Sequence, residues 1–83
     1  MNKKRALQEL AKVAEGMYLE IGIINSRDER YKDARLRCIN LGATAEEITS
    51  VGDAIMNKHY MKGSRYYIPA HMKQILDPVL AAV

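Results

Sequence analysis

The chain has little of what small proteins use to reinforce a fold. Its 83 residues include one cysteine, Cys38, and neither tryptophan nor phenylalanine. A single cysteine excludes an internal disulfide framework and is usually a small buried hydrophobic residue, so we predict a reducing, cytoplasmic compartment. Because large rings are scarce, Leu, Ile, Met, Val and Ala must fill the core.

Long apolar runs are also missing. The most membrane-like stretch, IGII at positions 21–24, is far shorter than the roughly 20 apolar residues that a membrane-spanning helix needs. The basic start of the chain is followed by Gln8, Glu9 and Lys12, which interrupt the apolar region that a signal peptide requires. We therefore expect a soluble protein that does not use a membrane.

Length and composition predict a single helical domain over residues 1–83. The sequence is 48% hydrophobic and 28% charged, which is the balance of a folded domain. A chain this short buries only roughly 60 to 65% of the surface that its unfolded form exposes. A core with few aromatic side chains does not readily cover the apolar patch at 21–24 and the apolar tail at 79–83. We therefore favour a homodimer, which would bury this surface, over a monomer.

The spacing of apolar residues predicts an all-α fold, a small bundle of about four helices. Residues three and four apart place a first helix at about Lys3 to Ile21 or a little beyond. Ser26 and Glu29 fit a capping box, in which two side chains each satisfy a backbone donor, so a second helix should start near Arg27. The alternative is that the first two helices form one long bent helix.

A glycine and a second capping box separate the second and third helices. Gly42 is suited to the left-handed conformation that ends a helix. Thr44 and Glu47 repeat the capping-box spacing, which predicts a third helix from Ala45.

The last helix is predicted from proline placement. Pro69 suits the first turn of a helix, where its missing N–H costs nothing. Asp77-Pro78 is expected to interrupt that helix before the apolar tail.

No arrangement of residues in the sequence is typical of catalysis or metal binding. The carboxylate pairs at 28–29 and 46–47 lie in predicted first helical turns, where the helix dipole favours negative charge. Cys38, His59 and His71 lack the close paired spacing of zinc ligands, and no glycine-rich phosphate loop is present. We predict a protein that is not an enzyme and carries no cofactor.

The second helix is rich in arginine, but most of its charge is compensated. Acids are interleaved with the cations at helical spacing, which indicates a solvated surface face. Arg35 and Arg37 are the least compensated of these cations.

The stretch KHYMKGSRYY, residues 58–67, is basic and rich in tyrosine, and no acid occurs from Ala54 to Leu76. Lysine and arginine neutralise phosphates, and tyrosine bonds phosphates or stacks on bases. Protein interfaces favour tyrosine and arginine too. We therefore predict a surface that binds nucleic acid or, about equally, an acidic protein partner. The alternative is a patch with no binding role that keeps a helix end soluble. The candidate binding residues are Asn57, Lys58, His59, Lys62, Arg65, Tyr66 and Tyr67.

The segment LGATAEEI, Leu41 to Ile48, follows the arginine-rich helix and resembles the entry to the helix-turn-helix of small bacterial and phage DNA-binding regulators. The resemblance implies a recognition helix from about Ala54, with Asn57 and His59 reaching base edges while the cations and tyrosines contact phosphates. That family places a turn glycine five residues after the position of Ile48, whereas Gly52 comes four residues after it.

Two alternatives accompany this resemblance. Structurally, the third helix could run without a break from Ala45 to about Lys62, with Gly52 letting a neighbour pack closely. Functionally, we predict a non-enzymatic DNA-binding regulator that uses the basic, tyrosine-rich stretch, and the alternative is a small adaptor or inhibitor that docks on an acidic protein partner.

Overall fold

The computed structural model describes residues 1–59 and 66–83, and this part of the chain folds into four helices. They are α1 (Lys3–Ile21), α2 (Glu29–Asn40), α3 (Ala45–His59) and α4 (Ala70–Leu80), and no strand occurs in the described ranges. The prediction of an all-α bundle of about four helices is confirmed. None of these helices combines the length and the apolar character needed to cross a membrane.

The first helix is the centre of the bundle. α1 packs against the other three helices and α3 also packs against α4, whereas α2 packs mainly on α1. The buried stripe of α1 contains most of the residues that the spacing predicted, but it does not extend to Tyr18, which is partly buried, or to Ile21, which is 55% exposed. It meets Cys38 of α2, Ile55 of α3 and Leu76 of α4 in one core. The stripe consists of Ala6, Leu7, Leu10, Ala11, Ala14 and Met17.

The first two helices are separate, because a glycine ends α1. Gly22 adopts a left-handed φ of 79° and its N–H donates to the carbonyl of Tyr18 at 2.8 Å. This conformation is costly for residues with a Cβ, so glycine stops the helix at this position. The alternative of one long bent helix is therefore wrong.

The capping box predicted at Ser26 and Glu29 is also wrong. Asp28 caps α2, and its carboxylate accepts a hydrogen bond from the backbone N–H of Arg30 at 2.8 Å. Hydrogen bonds from the Arg30 side chain and backbone lower the pKa of Asp28. An ionised carboxylate is favoured at a helix N-terminus and also binds a guanidinium, which a serine hydroxyl does less well.

The predicted interruption at Asp77-Pro78 does not occur, since α4 continues through Pro78 to Leu80. Proline removes one backbone donor, but the Ala81 N–H donates to the Asp77 carbonyl at 3.0 Å, and Val79 is 1% exposed. Burial of apolar side chains after the proline offsets the lost hydrogen bond. The helix starts at Ala70, so Pro69 is its N-cap, one residue before the first turn in which it was predicted.

The apolar tail is covered within one copy of the chain. Val79 is buried in the core, and Leu80 and Val83 pack against it. The tail therefore no longer supports a homodimer. Ile21 and Ile23 are 55% and 58% exposed, so the patch at 21–24 still does, and the homodimer stays a prediction.

Replacing Gly16 by alanine is expected to raise the free energy of unfolding by about 0.5 to 1 kcal/mol, measured by urea denaturation. Gly16 is exposed in the interior of α1, and no heavy atom lies within 4 Å of the position of an added Cβ. The matched control is Gly42→Ala, which should lower stability because φ is 93° there. A loss of stability in Gly16→Ala would contradict the open surface at this position.

Candidate functional site

The predicted binding residues lie around the connection between α3 and α4. Asn57, Lys58 and His59 form the C-terminal end of α3, and Tyr66 and Tyr67 precede α4. Lys62 and Arg65 lie outside the described residues.

Asn57 ties the end of α3 to the segment before α4. Its side-chain amide nitrogen donates to the carbonyl oxygen of Tyr66 at 3.0 Å, and the backbone N–H of Tyr66 donates to its Oδ1 at 3.1 Å. These two bonds hold the Tyr66 backbone against α3. They also engage both polar atoms of the Asn57 amide and so fix its orientation, while an amide group has a second N–H donor and a second acceptor lone pair besides.

Lys58 and His59 face a carboxylate of the first helix. Lys58 Nζ donates to Glu15 Oε2 at 2.7 Å, and His59 Nε2 lies 2.9 Å from the same oxygen. The His59 ring stacks on Tyr18 with ring centroids 5.6 Å apart. Hydrogen bonds from Lys58 and, to a smaller extent, from His59 lower the pKa of Glu15. Two of the predicted binding residues, Lys58 and His59, are therefore engaged by an acid that the local sequence does not contain.

The two described tyrosines of the connection differ in exposure. Tyr66 is 40% exposed and Tyr67 is 85% exposed, the highest value among the exposed large hydrophobic side chains of residues 1–59 and 66–83. Because Asn57 holds the backbone of Tyr66, the Tyr67 ring projects from an anchored position. We call Tyr66 and Tyr67 the tyrosine surface.

A second surface feature lies between α2 and α3, and sequence reasoning missed it. Side chains of both helices and of their short connection line an open groove of about 550 Å³. We call it the α2–α3 groove. It is lined by Tyr31, Arg35, Ile39, Ala43, Ala45, Ile48 and Thr49.

The connection that forms the groove is held by local hydrogen bonds. Gly42 has a φ of 93°, its N–H donates to the Ile39 carbonyl at 3.0 Å, and the Ala43 N–H donates to the Cys38 carbonyl at 2.9 Å. This is the Schellman pattern, which satisfies carbonyls at a helix end. The prediction that Gly42 ends the second helix is confirmed.

The capping box predicted at Thr44 and Glu47 is confirmed. Glu47 Oε1 accepts from the Thr44 N–H at 2.8 Å, and Thr44 Oγ1 accepts from the Glu47 N–H at 3.1 Å. Lys3 Nζ of α1 donates to the second carboxylate oxygen at 2.9 Å. Burial raises the pKa of Glu47, but the bonds from Thr44 and Lys3 outweigh it and leave the pKa below 4.5. The start of α3 is thus tied to the start of α1.

Arg35 is the charged residue of the groove. Its guanidinium lies 5.9 Å from the centroid of the Tyr31 ring, and the residue is partly buried. Among the residues that line the groove it alone is charged. Within residues 1–59 and 66–83, no carboxylate forms an ion pair with it.

The third helix has no turn at its glycine. α3 runs through Gly52 to His59, as the continuous-helix alternative predicted, although the expected end near Lys62 lies outside the described residues. A Cβ on Gly52 would lie 4.0 Å from Ile24 Cδ1, an ordinary contact. Close packing therefore does not explain this glycine. A helix-turn-helix with its turn at Gly52 does not fit α3.

No protein family, curated protein or solved structure matches the chain. The resemblance of residues 41–48 to DNA-binding regulators therefore stays a prediction.

Within the described ranges, no three metal-binding side chains come close enough to share an ion. Burial raises the pKa of the Cys38 thiol, which disfavours the reactive thiolate.

Proposed function

We propose that the protein is a non-enzymatic binding module that docks on an acidic protein partner through the tyrosine surface. The observation that carries the proposal is the 85% exposure of Tyr67 beside a Tyr66 backbone that Asn57 holds with two hydrogen bonds. An exposed ring costs little entropy to bury when its backbone is already held, and tyrosines dominate the energy of many interfaces. Lys62 and Arg65, with no acid near them in sequence, would supply the preference for acidic groups.

The surroundings of Lys58 favour a protein partner over nucleic acid. Affinity for nucleic acid depends on several cations that neutralise phosphates and release counterions. Lys58 and His59 both contact Glu15, so a phosphate that approaches them meets a carboxylate as well. A protein interface with an aromatic centre depends less on the number of available cations.

A DNA-binding regulator is the second candidate. It is supported by the absence of acids from Ala54 to Leu76 and by an exposed ring on which a base could stack. In that case Glu15→Gln should tighten binding, because it removes the negative charge beside Lys58 and His59.

The proposal is tested with immobilised protein and a nuclease-treated extract of the cells that produce it, followed by calorimetry with the purified captured protein. Tyr67→Ala is expected to weaken binding about 30-fold, the effect of a residue at the centre of an interface. Leu19→Ala is the matched control, because Leu19 is a large exposed side chain on α1, at 66% exposure, that is not part of the tyrosine surface. It should leave the affinity unchanged.

A titration against a random-sequence duplex separates the two candidates. Binding that weakens by orders of magnitude between roughly 50 mM and 200 mM salt, and tightens in Glu15→Gln, would replace the protein partner by nucleic acid. Equal affinities of wild type and Tyr67→Ala for the captured protein would remove the tyrosine surface from the interface.

A further inference from the structure

The α2–α3 groove combines an apolar lining with one cation, Arg35, that has no acidic partner in the part of the chain that the structure describes. Ile39, which is 51% exposed, contributes apolar surface from α2, and Ile48 and Ala45 contribute it from α3. Leu36, one helical turn before Ile39, is 55% exposed and extends the apolar surface along α2. Two exposed aliphatic side chains beside a groove are typical of a binding surface.

Among the described residues no carboxylate pairs with Arg35, including Asp33, the acid closest to it in sequence, and other nearby acids are engaged elsewhere. Glu47 bonds Thr44 and Lys3, and Glu46 Oε1 lies 3.0 Å from Nε2 of His71 in α4. Glu29 pairs with Lys32 at 3.8 Å. The groove therefore keeps the positive charge of Arg35, and its complement is a carboxylate.

We propose that the α2–α3 groove binds an apolar helical segment of a partner protein, with an Asp or Glu side chain of that segment paired to Arg35. An amphipathic helix buries its apolar face in such a groove between two helices. The planar guanidinium donates two parallel hydrogen bonds to a carboxylate, and its position over Tyr31 already restricts it. This site is separate from the tyrosine surface and does not depend on its function.

The test uses three synthetic amphipathic helical peptides that share a leucine face and differ at one flanking position, which is glutamate, glutamine or lysine. Binding is followed by NMR of isotope-labelled protein. The glutamate peptide should shift the methyl signals of Ile39, Ala43 and Ile48. It should bind about tenfold more tightly than the glutamine peptide, as expected for a charge-assisted hydrogen bond in a partly buried site. The lysine peptide should bind most weakly.

Two variants of α2 locate the effect. Arg35→Gln should abolish the preference for glutamate over glutamine, whereas Arg37→Gln removes the same charge from an exposed position outside the groove and should preserve it. Equal binding of the glutamate and glutamine peptides to the wild type would overturn the proposal. So would equal losses in the two variants, which would indicate general electrostatic attraction, or shifts confined to residues outside the groove. A random-sequence duplex that shifts the same methyl signals would overturn it too, since the occupant would then be nucleic acid.

Discussion

Leu10→Ala is expected to lower the free energy of unfolding by about 3 kcal/mol, the cost of lost apolar burial plus the cavity left behind. Leu10 is 0% exposed on α1, the helix that contacts the other three. Since several helices meet at α1, no single neighbour can move in to fill the space. Small domains are stable by only about 5 to 15 kcal/mol, so the variant should lose a large share of its stability. Urea denaturation followed by circular dichroism measures the change.

Leu19→Ala serves as the control on the same helix. Leu19 is 66% exposed, so removing its side chain should change stability by less than about 0.5 kcal/mol. A small effect of Leu10→Ala would contradict the central position of α1. A large effect of Leu19→Ala that depends on protein concentration would show that a second copy covers this face.

Glu47→Ala is expected to lower the free energy of unfolding by about 2 kcal/mol. The substitution leaves the Thr44 N–H without its partner at the start of α3 and removes the acceptor for Lys3 Nζ. Loss of a capping interaction costs about 1 kcal/mol, and an unsatisfied partly buried donor adds about as much. The bonded Thr44 lies between Ala43 and Ala45, which line the α2–α3 groove. The variant should therefore also bind the glutamate peptide more weakly in that groove.

The same carboxylate should make stability depend on pH. The pKa of Glu47 is lowered from 4.5 in the folded protein, so its contribution is present above the unfolded value and is lost as pH falls through the folded pKa. Wild-type stability should therefore fall below about pH 4.5 more steeply than that of Glu47→Gln, a variant of matched shape that cannot ionise. If the free energy of unfolding of the two proteins falls equally at acidic pH, Glu47 does not cause this pH dependence. Glu15, whose pKa is also lowered, acts in the same direction in both proteins.

The charge around the predicted binding stretch, residues 58–67, is a feature that the sequence alone did not predict correctly. The absence of acids between Ala54 and Leu76 is true of the sequence, and it suggested a purely basic surface. In the folded chain Glu15, more than 40 residues earlier, contacts Lys58 and His59. A local window cannot contain such an acid, because the packing of α1 on α3 brings it there. The hydrogen bonds of that contact lower the pKa of Glu15.

The sequence by itself determined the features that depend on neighbouring residues. Apolar spacing predicted the buried stripe of α1, Gly42 predicted the end of α2, and Thr44 with Glu47 predicted the start of α3, because each of these rests on contacts within one or two helical turns. Even at this range Ser26 was mistaken for the cap, since the helix starts two residues later, where Asp28 caps the Arg30 N–H and also binds the Arg30 side chain.

Only the tertiary structure decided which charges are compensated and where a surface is open. Three features depend on how separate helices are placed: the tie between Lys3 and Glu47, the contact of Lys58 with Glu15, and the lack of an ion-pair partner for Arg35 among the described residues. Helical spacing states which residues share a face of one helix. It does not state which helix that face meets, because the burial of apolar area that drives packing is not directional and fixes no single partner in advance.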